Sequence, residues 1–162
     1  MVNVQSRQKI IPFLWFDANA EEAIDFYISV FRSAKVTGIT RYGDSGPGPK
    51  GSVMSITFQL EGQDFYTLNW GPVFTFSQAI SFFVNCETQK EVDHLWEKLS
   101  EGGEKQPCGW LKDRFGVSWQ VIPVVLGEML GDKDPVKADR VMKAMLKMTK
   151  IDIASLERAF RG

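Results

Sequence analysis

The stretch Ile11–Arg32, reading IPFLWFDANAEEAIDFYISVFR, returns once in altered form as Ala79–Ser100, AISFFVNCETQKEVDHLWEKLS. An offset of 68 residues carries Ile11 onto Ala79, Phe16 onto Val84, Ile24 onto Val92, Asp25 onto Asp93 and Phe31 onto Leu99. The apolar pattern repeats better than the residue identities do. Each copy is a short apolar run, a polar turn and a segment of helical periodicity, so the chain reads as two related modules. Whatever separates the copies must serve the same architecture twice.

In the first copy, residues 9–16 predict a strand, which Pro12 marks as an edge strand or as one that starts after a break. Asn19 and Glu22 have the spacing of a capping box, and Ala20, Ala23, Ile24, Tyr27 and Phe31 form the buried stripe of a helix. Residues 35–42 and 53–60 read as strands, and Glu61–Asp64 turns the chain into a fourth strand, FYTLNW, ending at Trp70. The second copy opens with ISFFV, has a capping box in Thr88 and Glu91, and continues as a helix with the stripe Val92, Leu95, Trp96 and Leu99. A strand over residues 104–110, a turn around Asp113–Gly116 and a strand over residues 117–123 complete it.

The resulting fold class is α+β, with two βαβββ modules at 9–70 and 79–123 inside a single domain, 1–162. Residues 124–162 follow as a C-terminal helical extension. Its expected helices are Val124–Leu130, ended by Gly131; one started by Asp134 and Pro135 and carrying Ala138, Val141, Met142, Met145 and Met148; and one started by Asp152. They are expected to cover one face of a sheet or a partner subunit.

Composition excludes several function classes. Nineteen basic residues nearly balance twenty acidic ones, and neither sign forms a long block, so nucleic acid is not an expected partner. The apolar runs are too short to span a bilayer, and MVNVQSRQK lacks the apolar core of a signal peptide, which makes the expected location cytoplasmic and away from membranes. Cys86 and Cys108 have no metal-type spacing and read as reduced structural cysteines.

Isolated motifs carry little chemistry. Gly46, Gly48 and Gly51 match GxGxxG, but the segment 43–51 holds Pro47 and Pro49 and leads into a strand, whereas a dinucleotide fingerprint opens a helix. It reads as a hairpin loop. The one histidine, His94, lies off the apolar stripe of its helix and is expected at the surface. Cys86, just before a helix, is either a thiol activated by helix amides or a small buried residue at a strand end. No serine sits in a GxSxG elbow. Asp113 in KDRFG is either an acid of a site or the acceptor for its own turn amides.

Two strand–helix–strand–strand–strand units joined by a short link resemble the vicinal oxygen chelate superfamily of glyoxalases, extradiol dioxygenases and bleomycin-resistance proteins. The runs PFLWFDANAEEAIDFY, LNWGPVFTF, EVDHLWEKLSEGGEKQPCGWLKDRFGVSWQVIP and KADRVMKAMLKMTKIDIASLERAF resemble its PhnB-like branch, labelled 3-demethylubiquinone-9 3-methyltransferase. The resemblance implies curved half-barrel sheets around a cavity, completed in a homodimer. It also implies metal ligands at positions that here hold Ile11, Tyr66, Ala79 and Gln120. Ile and Ala cannot ligate, so no metal and no cofactor is expected. The methyltransferase label has no glycine-rich strand-to-helix turn to support it.

If the superfamily's cavity is kept, strand alternation lines it with Phe13, Trp15, Tyr66, Ser81 and Gln120. Such a cavity suits a flat or apolar small molecule, while the same aromatics also suit a filled core. Two functions remain open. One is binding and sequestration of a small apolar or aromatic molecule. The other is an enzyme, metal-independent or with an atypical metal, acting on a small carbonyl or aromatic substrate through Tyr66, Ser81, Asp113 and Gln120.

Overall fold

Proline cannot donate to a β-ladder, and β1 (Phe13–Phe16) starts directly after Pro12. A computed structural model describes residues 8–162, so most of the N-terminal stretch read for a signal peptide lies outside the described residues. The chain divides into two units between Thr75 and Phe76. Among the described residues no helix is long and apolar enough to cross a membrane.

In the first unit, β1 is followed by α1 (Ala20–Val30), β2 (Ala34–Arg41), β3 (Val53–Leu60) and β4 (Gln63–Asn69). The strands form an open mixed sheet in the order β1-β4-β3-β2, with β1 parallel to β4 and the other pairs antiparallel. Pro12 thus immediately precedes a strand that lies at the edge of its sheet. Helix α1 buries Ala20, Ala23, Ile24, Tyr27 and Val30, and Phe31 just beyond its end. Leu14, Phe16, Ile56, Phe58, Leu60 and Phe65 are buried from the strands, and the Phe58 and Phe65 rings stack with centroids 5.1 Å apart.

The start of α1 differs from the capping box expected of Asn19 and Glu22. Asn19 makes no side-chain cap bond. Its place is taken by Asn69, at the far end of the sheet: Asn69 Oδ1 accepts from the Ala20 amide at 3.0 Å, and Nδ2 donates to the Val53 carbonyl at 3.1 Å. The ladder between β3 and β4 covers only their turn-proximal halves, Thr57–Leu60 against Gln63–Tyr66. Beyond it, the Thr67 hydroxyl bonds both the amide and the carbonyl of Ile56. Side chains therefore finish what the backbone ladder leaves open.

The segment 43–51 is a loop leading into β3, as its prolines require. Gly46 and Gly48 lie against opposite edges of the Tyr42 ring, where a Cβ would have no room. The Tyr42 hydroxyl donates to the Asn69 carbonyl.

The second unit repeats the plan with β5 (Phe82–Cys86), α2 (Gln89–Leu99), β6 (Glu104–Lys105), β7 (Trp110–Lys112) and β8 (Ser118–Pro123). Its sheet order is β5-β8-β7-β6, with β5 parallel to β8. This is the order of the first sheet, strand for strand. The offset of 68 holds for strand facing, since Leu14 and Phe16 correspond to Phe82 and Val84. Across the helices it becomes 69: Asn19 corresponds to Thr88, and Ala20–Val30 to Gln89–Leu99. One residue has been inserted between strand and helix in the second copy.

Thr88 caps α2 by accepting from the Glu91 amide, and Glu91 Oε2 reaches back to the Glu87 amide at 2.8 Å. The stripe Val92, Leu95, Trp96 and Leu99 is buried as expected.

The strand expected over residues 104–110 is broken. Pro107 starts a short 3-10 turn, and Cys108 has a left-handed φ of 60°. The amides freed there, Cys108 and Gly109, donate to the carbonyls of Met148 and Thr149 at 2.9 and 2.8 Å. Those acceptors belong to the extension, formed by α3 (Val124–Leu130), α4 (Pro135–Met145) and α5 (Ile153–Arg161). Asp134 and Asp152 cap α4 and α5 through their side chains. Ile122, Leu126, Met129, Val141, Ile151 and Leu156 form their common core, against which Met145 and Met148 are partly buried. Met142, expected in that stripe, is exposed.

Asn69→Ala leaves the Ala20 amide and the Val53 carbonyl unpaired, and is expected to lower unfolding stability by about 2–4 kcal/mol. Asn19→Ala is expected to change it by less than about 0.5 kcal/mol. Urea denaturation followed by circular dichroism measures both; equal losses would restore Asn19 as the cap.

Candidate functional site

Helix α1 packs on one face of the first sheet and α2 on one face of the second; the opposite faces carry the candidate residues, and the extension packs at Ile122 on that face of the second sheet. On the open face of the first sheet, parallel pairing sets Phe13 beside Tyr66 and Trp15 beside Leu68. Phe13 is 56% exposed, while Trp15 and Tyr66 are half-buried. The Trp15 indole is held by a 2.9 Å bond from Nε1 to the Gly71 carbonyl and by an edge-on contact with Phe74 at 5.0 Å. The Tyr66 hydroxyl makes no hydrogen bond among the described residues. The first unit thus brings Phe13, Trp15 and Tyr66 together, as alternation requires.

On the open face of the second sheet, Gln120 Nε2 donates to Ser81 Oγ at 2.9 Å. Phe83 and Trp110 flank Gln120 in register. Sequence reasoning missed Phe83, although counting two residues on from Ser81 would have found it.

Asp113 is not on that face. It is buried, and its Oδ1 accepts from the amides of Phe115 and Val117 at 2.9 and 3.0 Å, while Oδ2 accepts from Trp119 Nε1 at 2.8 Å. Trp119 alternates with Gln120 and is buried on the opposite side of β8. The carboxylate therefore joins turn to strand on the helix-covered side, in the role of acceptor for its turn amides. His94 is exposed.

The positions at which the superfamily implies metal ligands do not form a donor set. Ile11 precedes β1 and Ala79 precedes β5, leaving one phenol, Tyr66, and one carboxamide, Gln120, already bonded to Ser81. These groups do not fit a divalent ion. Among the described residues no group of three or more His, Cys, Asp or Glu side chains is placed to hold a metal ion.

Cys86 is fully buried at the end of β5. Burial, with Glu91 and Glu87 adding to it, pushes its thiol from 9.0 up to about 12, the opposite of activation. At about pH 8, Ellman's reagent is expected to leave Cys86 untouched in the folded protein and to modify it after denaturation; rapid native reaction would refute the buried reading. The unfolded thiol ionises first as pH rises, so stability attached to Cys86 is present below about 9 and declines toward about 12. Cys86→Ala is expected to remove that part of the alkaline decline.

The family model described as 3-demethylubiquinone-9 3-methyltransferase matches residues 8–122. A PhnB protein from Bacillus cereus shares 40% identity, with 72% of this chain and 100% of that chain covered and a TM-score of 0.64. Protein PA1353 from Pseudomonas aeruginosa has the same fold, at 24% identity, coverage of 72% and 97%, and a TM-score of 0.60. No curated protein matches the chain. With the duplicated βαβββ sheets, these matches make the chain a member of the 3-demethylubiquinone-9 3-methyltransferase family, the PhnB-like branch of the vicinal oxygen chelate superfamily.

Proposed function

We propose that this protein binds a small apolar or aromatic molecule on the open faces of its sheets. The observation that carries this reading is the cluster of Phe13, Trp15 and Tyr66. Three large rings stand on the side of the sheet away from its helix, with the phenol hydroxyl unengaged among the described residues. Such a face offers a flat ligand dispersion and ring contacts, and one hydrogen bond to orient it. Trp15 is anchored at its indole nitrogen, so it meets a ligand with little rotamer freedom left to lose.

Methyl transfer, which the family's description names, is not part of this proposal. The glycine-rich segment 43–51 packs around Tyr42 and runs into a strand, so it presents no helix N-terminus to a methyl donor's polar groups.

Titration of the purified full chain with naphthalene, indole and other flat aromatics, followed by nuclear magnetic resonance, is expected to show saturable shifts at Trp15 and its neighbours. Trp15→Ala is expected to weaken binding by about tenfold or more. Absence of saturable binding by every compound, or unchanged affinity in Trp15→Ala, overturns the reading.

A second reading, an enzyme acting on a small carbonyl or aromatic substrate, is favoured by one contact. The Ser81–Gln120 pair presents hydrogen-bonding groups on an open face, which is what polarising a carbonyl requires. Its expected signature is turnover that Gln120→Leu abolishes and that added divalent ions leave unchanged. Turnover that depends on a divalent ion would contradict the poor fit of Tyr66 and Gln120 to such an ion.

A further inference from the structure

The face of the second sheet opposite α2 packs against the extension at Ile122 and has two further parts, earlier along β8. The first is a row across three strands: Phe83 on β5, Gln120 on β8 and Trp110 on β7. Phe83 is 54% exposed, so the row presents an aromatic edge beside a carboxamide. The second part lies two residues back along β8, where Ser118 has the same facing as Gln120. Its side chain is 2% exposed, and its hydroxyl has no hydrogen-bond partner among the described residues. Native structures leave few buried hydroxyls unpaired, because an unmade bond there costs stability.

Other hydrogen-bonding capacity remains close by. Ser81 Oγ accepts from Gln120 Nε2 and keeps a hydroxyl hydrogen to give. Gln120 Oε1 accepts nothing among the described residues. Lys112, paired with Ser118 across the ladder, is engaged by Glu104 at 2.8 Å, so its charge is matched locally. The unspent groups are therefore two hydroxyl donors and one amide oxygen, all neutral.

We propose that this face binds a flat, neutral cyclic amide. Its ring lies on Phe83 and Trp110, its carbonyl oxygen accepts from Ser118 and Ser81, and its N–H donates to Gln120 Oε1. A carboxylate would bring an unmatched charge to a neutral site, and a plain hydrocarbon would leave Ser118 unpaired. The inference rests on the reading that the open faces take an aromatic molecule, and it specifies the polar edge that molecule carries.

The test compares 2-quinolone, which has adjacent carbonyl and N–H groups, with naphthalene, which has neither. Calorimetric titration of the full chain is expected to give about tenfold tighter binding of 2-quinolone. Ser118→Ala is expected to abolish that preference, leave naphthalene binding unchanged and keep or raise the thermal midpoint of the free protein. Gln120→Leu is expected to abolish the preference as well. Equal affinity for the two probes, or a preference that survives both substitutions, overturns the cyclic-amide inference and leaves the aromatic reading intact. Failure of both probes to bind overturns the two together.

Discussion

The first module closes on one carboxamide. Asn69 gives its Oδ1 to the first turn of α1, its Nδ2 to the start of β3 and its backbone carbonyl to the Tyr42 hydroxyl. Helix, sheet and loop 43–51 are thereby fixed to one residue of β4. A buried Asn is stable only with its polar atoms paired, and here the pairing also sets how α1 enters its position over the sheet. The open face, with Phe13, Trp15 and Tyr66, is the other side of the strands that this arrangement holds.

The second module reaches the same topology by other contacts. Thr88 caps its own helix, so no residue of β8 is needed for that purpose. Long-range fastening passes instead to the extension. Gln89, in the first turn of α2, donates to the Ile151 carbonyl and accepts from the Ile153 amide. Asp93 one turn later holds Lys150 at 2.6 Å. Arg140 of α4 in turn donates to the carbonyls of Ala159 and Phe160 at the end of α5, capping it. The extension is thus an integral part of the second unit.

What could be read in the sequence was what depends on neighbours along the chain. Stripes such as Val92, Leu95, Trp96 and Leu99, and caps such as Thr88, Asp134 and Asp152, obey local rules, and the structure has them. The cap on α1 and the break at Pro107–Gly109 were not legible because their partners, Asn69 and Met148–Thr149, are distant in sequence. Pro107 was the available hint of the break. In the candidate site, alternation sufficed to put Phe13, Trp15 and Tyr66 on one face. It could not reveal that the Ser118 hydroxyl is buried with no partner among the described residues, since that depends on what surrounds it.

The break in the second module also bears on how the chain is made. The backbone donors at Cys108 and Gly109 find their acceptors only at Met148 and Thr149. The strands of the first sheet pair only with one another, so its ladders can close once β4 has been synthesised. In the second unit the Cys108 and Gly109 amides reach these acceptors only after the chain as far as Thr149 has been made. The two halves, alike in topology, are therefore unequal in when their backbone bonds can close: the first sheet needs nothing after β4, while the second unit needs its extension.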